Sequence, residues 1–482
     1  MLQVGSRIMI LGAGVGSGHN MAAQVLENAF RHQPSVEIAE RADVLDSTNK
    51  LYRKLYDDAY FKLVADVPSL IEWGYDANDV PFDLARTVRF WDRMNTTSTV
   101  KQIKAFRPDV VVCTHFLPAR LVALMLTRGT LEAKLAIVTT DYDFQGLWLT
   151  SQFTEFFVAR EETKAHMAAI GVPADRLTVS GIPVRPVLGE PVDGHAIRRK
   201  FGLTEDQPTV LISAGASGGS YTKVIVQQAL ALQTPFQAVI VCGRNAELKA
   251  DIDAMVAGAT DRFKVLGYTT EMADLMRVAT LFVGKPGGLS SSECMAAGLP
   301  MVLINPIPGQ EERNSDFLLE EGAAVRCNYT TTVGYKIEAL LREPERIERM
   351  AAAARRLGFP DAGDRIARAV MRDVPPLWIS TTAQRSMLAA AEQGIAATEL
   401  PAGSRVRTLI DSDTGFSLAV ITETQADLLR ERTTPAPLSR RPLVMISSLQ
   451  LSELRRRRAD ADLLLTMRRL LQSSPELTLG LA

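Results

Sequence analysis

The chain has 482 residues, with 54 Lys plus Arg against 55 Asp plus Glu and a formal net charge of −1. An apolar share of 46% and a charged share of 23% are those of an ordinary folded protein, which excludes a disordered or collagen-like chain. The near-zero balance speaks against a dedicated nucleic-acid binder, and the length calls for two or three domains.

The N-terminus, MLQVGSRIMILGAG, reads as a short strand running into glycines and lacks the order of a signal peptide. IMIL (8–11) leads to a helix from about His19, in which Ala22, Val25, Leu26, Ala29 and Phe30 mark one buried face. VEIAE (36–40), VVVC (110–113), LAIVT (135–139), FFVA (156–159) and LTVSG (177–181) follow as further strands, with helical stretches between. Buried β-branched runs separated by helices predict a parallel sheet covered on both faces. The pattern restarts with TVLISAG (209–215), AVIVCG (238–243), FKVLG (263–267), TLFVG (280–284) and MVLIN (301–305). Two doubly wound α/β domains in tandem are expected, at 1–185 and 186–372, joined through the proline-rich GIPVRPVLGEPV. Residues 373–482 read as a small α+β appendage, with a hairpin over 405–420, a strand at 442–447 and a Leu/Arg-rich helix over 451–472. Cys113, Cys242, Cys294 and Cys327 form no CxxC pair and lie in or beside apolar runs, so reduced core residues and a reducing cytoplasm are expected. No stretch reaches 18 consecutive apolar residues, so any membrane contact is expected to be peripheral.

Two glycine loops carry the chemistry. GAGVGSGH (12–19) follows a strand and opens a helix, but has neither the dinucleotide spacing nor the Lys-Ser/Thr of a P-loop. His19 stands at the mouth of that helix, where the dipole lowers its pKa; it either takes a proton from a substrate hydroxyl or merely caps the helix. The second loop lies in GKPGGLSSSECMAAGLPMVLINPIPGQEERNSDFLLEEGAA (284–324). Gly287 and Gly288 free it to wrap a phosphate, and a helix expected from about Ser291 aims its N–H groups there. Glu293 suits two adjacent ribose hydroxyls, although Ser290 and Glu293 also have capping-box spacing. Gln310, Glu311 and Asn314 suit sugar hydroxyls or cap the next helix.

These segments resemble glycosyltransferase family 28, in its diacylglycerol glucosyl- and galactosyltransferase branch. GSGHNMAA (16–23), PDVVVCTHFLPA (108–119), TTDYDFQGLW (139–148), SGIPVRP (180–186), SAGASGGS (213–220), VCGRNAEL (241–248) and GYTTEMADLM (267–276) agree in order with the family's motifs, over roughly residues 5 to 372. Gln145 stands where the family usually has histidine, and Ala216 interrupts its glycine-rich loop. The resemblance implies two facing Rossmann-like domains, the GT-B arrangement, and inverting transfer of a hexose from UDP-glucose or UDP-galactose to a membrane lipid hydroxyl such as that of diacylglycerol. Backbone N–H groups and the helix dipole at the glycine loop can take up charge on a departing diphosphate, so neither a metal nor another cofactor is expected. His19 and Asp141 would be catalytic. Glu293 would hold the ribose, Gln310 and Glu311 the sugar, Gly215, Ser217 and Gly218 the phosphates, and Arg244 and Tyr268 the uracil. Gly287, Gly288, Leu289, Ser290 and Asn314 would complete the donor site, and Gly16, Gly18, His115, Tyr52 and Tyr56 the acceptor side. Asp141 would contact the acceptor or orient His19, or close a strand-end turn. Tyr52, Tyr56 and Tyr60 stand four apart beside basic residues, and segment 86–107 has six basic residues against one acid. Both suit an anionic membrane surface on the inner face of the cell membrane, or core packing. A UDP-sugar epimerase and a non-catalytic nucleotide or lipid sensor are the alternatives.

Overall fold

The computed structural model describes residues 5–14, 18–46, 97–215, 219, 221–307 and 309–379, together with the backbone of four short strands further on. The first unit contains β1 (Ser6–Gly12), α1 (Gly18–Arg31), β2 (Val36–Asp43), α2 (Thr97–Phe106), β3 (Val110–Cys113), α3 (Phe116–Thr127), β4 (Lys134–Val138), β5 (Gln152–Phe153), β6 (Glu155–Val158), α4 (Glu161–Ala169) and β7 (Leu177–Val179). The second contains α5 (Gly194–Phe201), β8 (Thr209–Ser213), α6 (Tyr221–Ala231), β9 (Gln237–Val241), α7 (Ala246–Met255), β10 (Phe263–Leu266), α8 (Met272–Val278), β11 (Leu281–Gly284), α9 (Gly288–Ala297), β12 (Met301–Ile304), α10 (Gln310–Glu320), β13 (Ala324–Cys327), α11 (Val333–Leu341) and α12 (Pro344–Leu357).

Each unit is built on a six-stranded parallel sheet, ordered β2-β1-β3-β4-β6-β7 and β10-β9-β8-β11-β12-β13. Their inner strands are nearly continuous apolar runs because helices cover both faces, whereas the edge strand β2 (VEIAERAD) is mostly exposed or half-buried. β3, β6, β9, β11 and β12 are buried at every position, with Val112 between Ile10 and Ala136, and Val283 between Ile212 and Val302. The apolar face expected for α1 is the one it buries. The strand order reverses between β1 and β3 in the first sheet and between β8 and β11 in the second. Ligands bind beyond the carboxyl ends of strands at such switch points. The loops there are the two glycine loops and their partners after β3 and β8.

The two units face one another in the GT-B arrangement, with the N-termini of α1 and α9 apposed. A Cβ on Gly18 would stand 3.6 Å from the Cβ of Leu289. The chain passes between them twice at adjacent points. The outgoing crossing is the join after β7, and the return follows α12, where Phe359 and Pro360 lie so close to Gly181 and Gly189 that a Cβ on either glycine would overlap them. α13 (Ala362–Val370) then buries Ile366, Ala367 and Val370 in the apolar cluster that contains Ala23, Leu26 and Phe30 of α1. β14 (Leu377–Trp378) pairs antiparallel with β5, and Ile379 N donates to Ser151 O at 2.8 Å. Lys134 Nζ on Arg372 O and an Arg372–Glu155 ion pair fasten this returning leg.

Beyond it, β15 (Thr408–Asp411), β16 (Ser417–Val420), β17 (Leu443–Ile446) and β18 (Thr478–Leu481) form a four-stranded sheet, including the expected hairpin. The aromatic-basic stretches at 50–62 and 86–96 and the Leu/Arg-rich 451–472 lie outside the described residues. The four cysteines are buried and free. Among the described residues no helix is long and apolar enough to cross a membrane.

Candidate active site

β1 ends in a loop organised by Asp43, a residue that sequence reasoning missed. Its carboxylate accepts from Gly14 N at 3.1 Å, from Asn20 Nδ2 at 2.8 Å and from Leu45 N at 2.9 Å. A Cβ on Gly14 would stand 2.6 Å from Asp43 Oδ2, so the close approach needs glycine. His19, in the first turn of α1, meets the end of β3. Its Nδ1 lies 2.9 Å from Thr114 O and 2.9 Å from Thr140 Oγ1. A carbonyl oxygen only accepts, so the proton is on Nδ1 and the Nε2 lone pair is free to act as a base. Burial lowers the His19 pKa, against opposing pulls from Asp141, the Thr114 bond and Asp43.

His115 stacks edge-on to His19 with ring centres 4.7 Å apart, and its Nδ1 accepts from Leu117 N at 3.1 Å, capping α3. Burial, with His19 alongside, holds its pKa well below the usual histidine range. Phe116 and Trp148 complete an aromatic wall on this side. Gln145 opens the short turn Gly146–Trp148.

The turn after β4 crosses into the second unit. Tyr142 is 2% exposed and belongs to that unit's core. Its hydroxyl donates to Gly288 O at 3.2 Å and shares a 2.6 Å hydrogen bond with Ser292 Oγ. Its own carbonyl accepts from Arg160 Nε at 2.9 Å and from Thr163 Oγ1. Asp141 accepts from Gln310 Nε2 on Oδ2 and from Asn314 Nδ2 on Oδ1 at 3.2 Å. It makes no hydrogen bond to His19 among the described residues and acts on it through charge alone. Burial raises the Asp141 pKa, against the pull of the Gln310 amide, His19 and Asn314.

The second glycine loop departs from expectation in one respect. α9 begins at Gly288, with Gly287 as its N-cap, three residues ahead of Ser291. Ser290 therefore lies inside the helix, and the capping-box reading of Ser290 and Glu293 fails. Glycine is a poor helix former, so sequence favours a later start; tertiary contact overrides it. A Cβ on Gly288 would stand 2.0 Å from Thr140 O, so the helix N-terminus reaches the first unit only because position 288 has no side chain.

Glu293 is 5% exposed and accepts from Arg185 Nη2 at 2.9 Å and Nε at 3.2 Å, while Arg185 Nη1 donates to Thr270 O at 3.1 Å. Burial raises the Glu293 pKa and Arg185 opposes the rise. Arg244 lies 5.0 Å from the ring of Tyr268, which is 59% exposed. Glu311 accepts from Ile307 N at 2.7 Å; burial raises its pKa and the Lys285 ammonium counters this. Gly215 takes a left-handed φ of 77°, with nothing among the described residues within 4 Å of its Cβ position. Asn314, expected to face a sugar, is 1% exposed with its amide committed to protein partners. Gly16, Tyr52, Tyr56, Ser217 and Gly218 lie outside the described residues. Among the described residues no group of three or more His, Cys, Asp and Glu is placed to hold a metal ion.

The sequence pattern of monogalactosyldiacylglycerol (MGDG) synthase matches residues 19–184, and that of the glycosyltransferase family 28 C-terminal domain matches residues 209–366. The chain belongs to glycosyltransferase family 28. Among similar proteins, the processive diacylglycerol beta-glucosyltransferase of Bacillus cereus strain AH187 is 28% identical over 368 residues, covering 76% of this chain and 94% of that protein. In structure, the glycotransferase of kitacinnamycin superposes with a TM-score of 0.52 at 14% identity, over 77% of this chain and all of that one. The UDP-GlcNAc 2-epimerase of Neisseria meningitidis, bound to UDP-GlcNAc, gives 0.50 at 13% identity, over 76% of this chain and 99% of that one. A transferase and an epimerase share this fold, so the fold by itself does not choose between their chemistries.

Proposed function

We propose that the chain is a UDP-hexose:diacylglycerol glycosyltransferase working by a single inverting displacement. The observation that carries the reading is His19, whose Nδ1 is held by Thr114 O and whose Nε2 has no hydrogen-bond partner among the described residues, in the first turn of α1 where the N-termini of α1 and α9 meet beside the two switch points. The acceptor hydroxyl attacks the anomeric carbon and passes its proton to Nε2. The bond from that carbon to the diphosphate oxygen breaks on the opposite face, and UDP departs. Negative charge growing on the diphosphate meets the first-turn N–H groups of α9 and the loop at Gly215, fixed dipoles that need no reorganisation. Asp141 stabilises the cation that forms on His19.

Glu293 takes the ribose hydroxyls, with Arg185 holding it in place. Arg244 and Tyr268 border the uracil, Gln310 and Glu311 read the hexose, and Ser217 and Gly218 continue the phosphate loop. A hydroxyl-bearing lipid fits the aromatic wall of His115, Phe116 and Trp148, and the B. cereus relative bears the name of a diacylglycerol glucosyltransferase. The basic and aromatic residues at 50–62 and 86–107 would bring the protein to an anionic bilayer as a peripheral partner.

Protein incubated with labelled UDP-glucose or UDP-galactose and diacylglycerol vesicles is expected to yield labelled glycolipid, and His19→Ala to yield none while still binding UDP. Product formation is expected to continue in the presence of a chelator. Absence of glycolipid from both donors, or scrambling of the donor alone without acceptor, would refute the transferase reading, the latter in favour of an epimerase.

A further inference from the structure

Asn314 stands where three segments converge: the turn after β4, the loop after β11, and its own helix, α10. A side-chain amide offers two N–H donors and one carbonyl oxygen. Here Nδ2 donates to Asp141 Oδ1 at 3.2 Å and to Pro286 O at 3.1 Å, while Oδ1 accepts from Tyr142 N at 3.1 Å. Both donors are spent on protein, and the residue is 1% exposed, so no N–H is left for a sugar hydroxyl. One helical turn earlier, Gln310 donates to the other oxygen of the same carboxylate. Residues i and i+4 of a helix share a face, which is how two amides reach the two oxygens of Asp141. The neighbouring Arg313–Asp143 pair, at 3.2 Å, is partly exposed and adds little.

We propose that Asn314 is a positioning residue: it clasps the Asp141–Tyr142 turn of the first unit to α10 and the Pro286 loop of the second, and so sets the spacing between His19 and the donor site. The proposal rests on the transferase reading above and assigns Asn314 a role other than sugar contact. Every group assigned to the nucleoside lies in the second unit or at the join: Glu293, Arg244, Tyr268 and Arg185. Losing the clasp therefore leaves UDP binding intact and disturbs the alignment of base with anomeric carbon. Loss of a sugar contact would instead weaken donor binding.

The test reads distance and kinetics together. Spin labels at His32→Cys and Tyr335→Cys, both exposed and one on each unit, report the separation; the four native cysteines are buried. Asn314→Asp sets a carboxylate against Asp141 and Pro286 O. It is expected to broaden the distance distribution and to lower kcat about 100-fold, the scale of an ångström-sized misplacement, with the dissociation constant for UDP unchanged. Exchanging the pair, Asp141→Asn with Asn314→Asp, restores an N–H donor opposite a carboxylate and is expected to narrow the distribution again. Asn314→Ala, which adds no charge, gives the same broadening and serves if the charged variant does not fold. A distribution unmoved by Asn314→Ala, or a rise in donor KM at unchanged kcat, would overturn the clasp. Failure of the unaltered protein to bind UDP or form product would count against the transferase reading and leave the distance result standing.

Discussion

Gly288→Ala places a methyl group where α9 meets the first unit. Its Cβ would fall 2.0 Å from Thr140 O, about 1.4 Å short of the 3.4 Å at which ordinary contact begins, and 3.1 Å from Asp141 Oδ1. The obstacle is a main-chain carbonyl in a turn anchored by Tyr142, so it has no rotamer into which to escape. Relief has to come from moving α9 away from the first unit by about an ångström. Overpacking of this kind costs roughly 1–3 kcal/mol, part of which alanine's better helix propensity recovers. The kinetic cost is larger, because a shift of that size between reacting groups lowers rates about 100-fold. The expected outcome is a modest loss of stability in a urea titration, UDP binding by calorimetry within a few fold of the unaltered protein, and glycolipid formation down about two orders of magnitude. Gly258→Ala, with nothing within 4 Å of the added methyl, is the matched control and is expected to be silent. Gly288→Ala with an unaltered transfer rate would refute the claim that this contact sets the cleft.

Arg185→Met leaves the buried Glu293 carboxylate without its cation. Breaking such a pair costs about 3 kcal/mol or more, and adding Glu293→Gln is expected to recover the stability but not UDP affinity, measured by denaturant titration and calorimetry. His115 predicts an acid-labile fold. Its folded pKa lies well below its unfolded value of about 6.5, so unfolding takes up a proton below that pH. The stability it permits is present above pH 6.5 and is lost as the pH falls toward the folded value. His115→Asn keeps a side chain able to cap α3 and is expected to lower the acid slope of stability by up to about 1.4 kcal/mol per pH unit. Melting curves between pH 5 and 8 that show the same slope in both proteins would contradict this. Chelator-insensitive glycolipid synthesis, expected from the N–H groups of α9, would be refuted if product were lost on chelation and restored by a divalent cation.

Local pattern made much of this molecule legible. The strands announce themselves because burial on both faces demands unbroken apolar runs, and the glycine loops because a backbone that approaches a ligand or another helix closely tolerates no Cβ. His19 and Glu293 stand out for the same local reason, as titratable groups in the opening turns of helices that follow glycines, His19 in the first turn and Glu293 in the second. What stayed hidden depends on partners far away in the chain. Arg185 stands 108 residues from Glu293, and nothing in IPVRP names the carboxylate it pairs with. Asn314 reads as a sugar contact because a polar side chain near a loop is ambiguous until its neighbours are known, and its neighbour Asp141 is 173 residues away in the chain. The start of α9 is not legible locally because the contact that fixes it, Gly288 against Thr140, involves the other unit. Amphipathic α13 likewise carries no sign of which sheet it will cover.

That last helix has a bearing on biosynthesis. Val25 and Ala29 of α1 are sealed by the helix that begins at Ala362, with Gly363 so close that a Cβ there would lie 2.9 Å from Val25 Cγ1. As the nascent chain leaves the ribosome, the first sheet and its helices emerge early, yet one of their apolar surfaces waits uncovered while the whole second unit is translated. The N-terminal half is therefore an adhesive intermediate for most of its synthesis. Truncation anywhere before Val370 should leave insoluble protein rather than an independent half, and a single protease cut at either crossing should leave the two fragments held together.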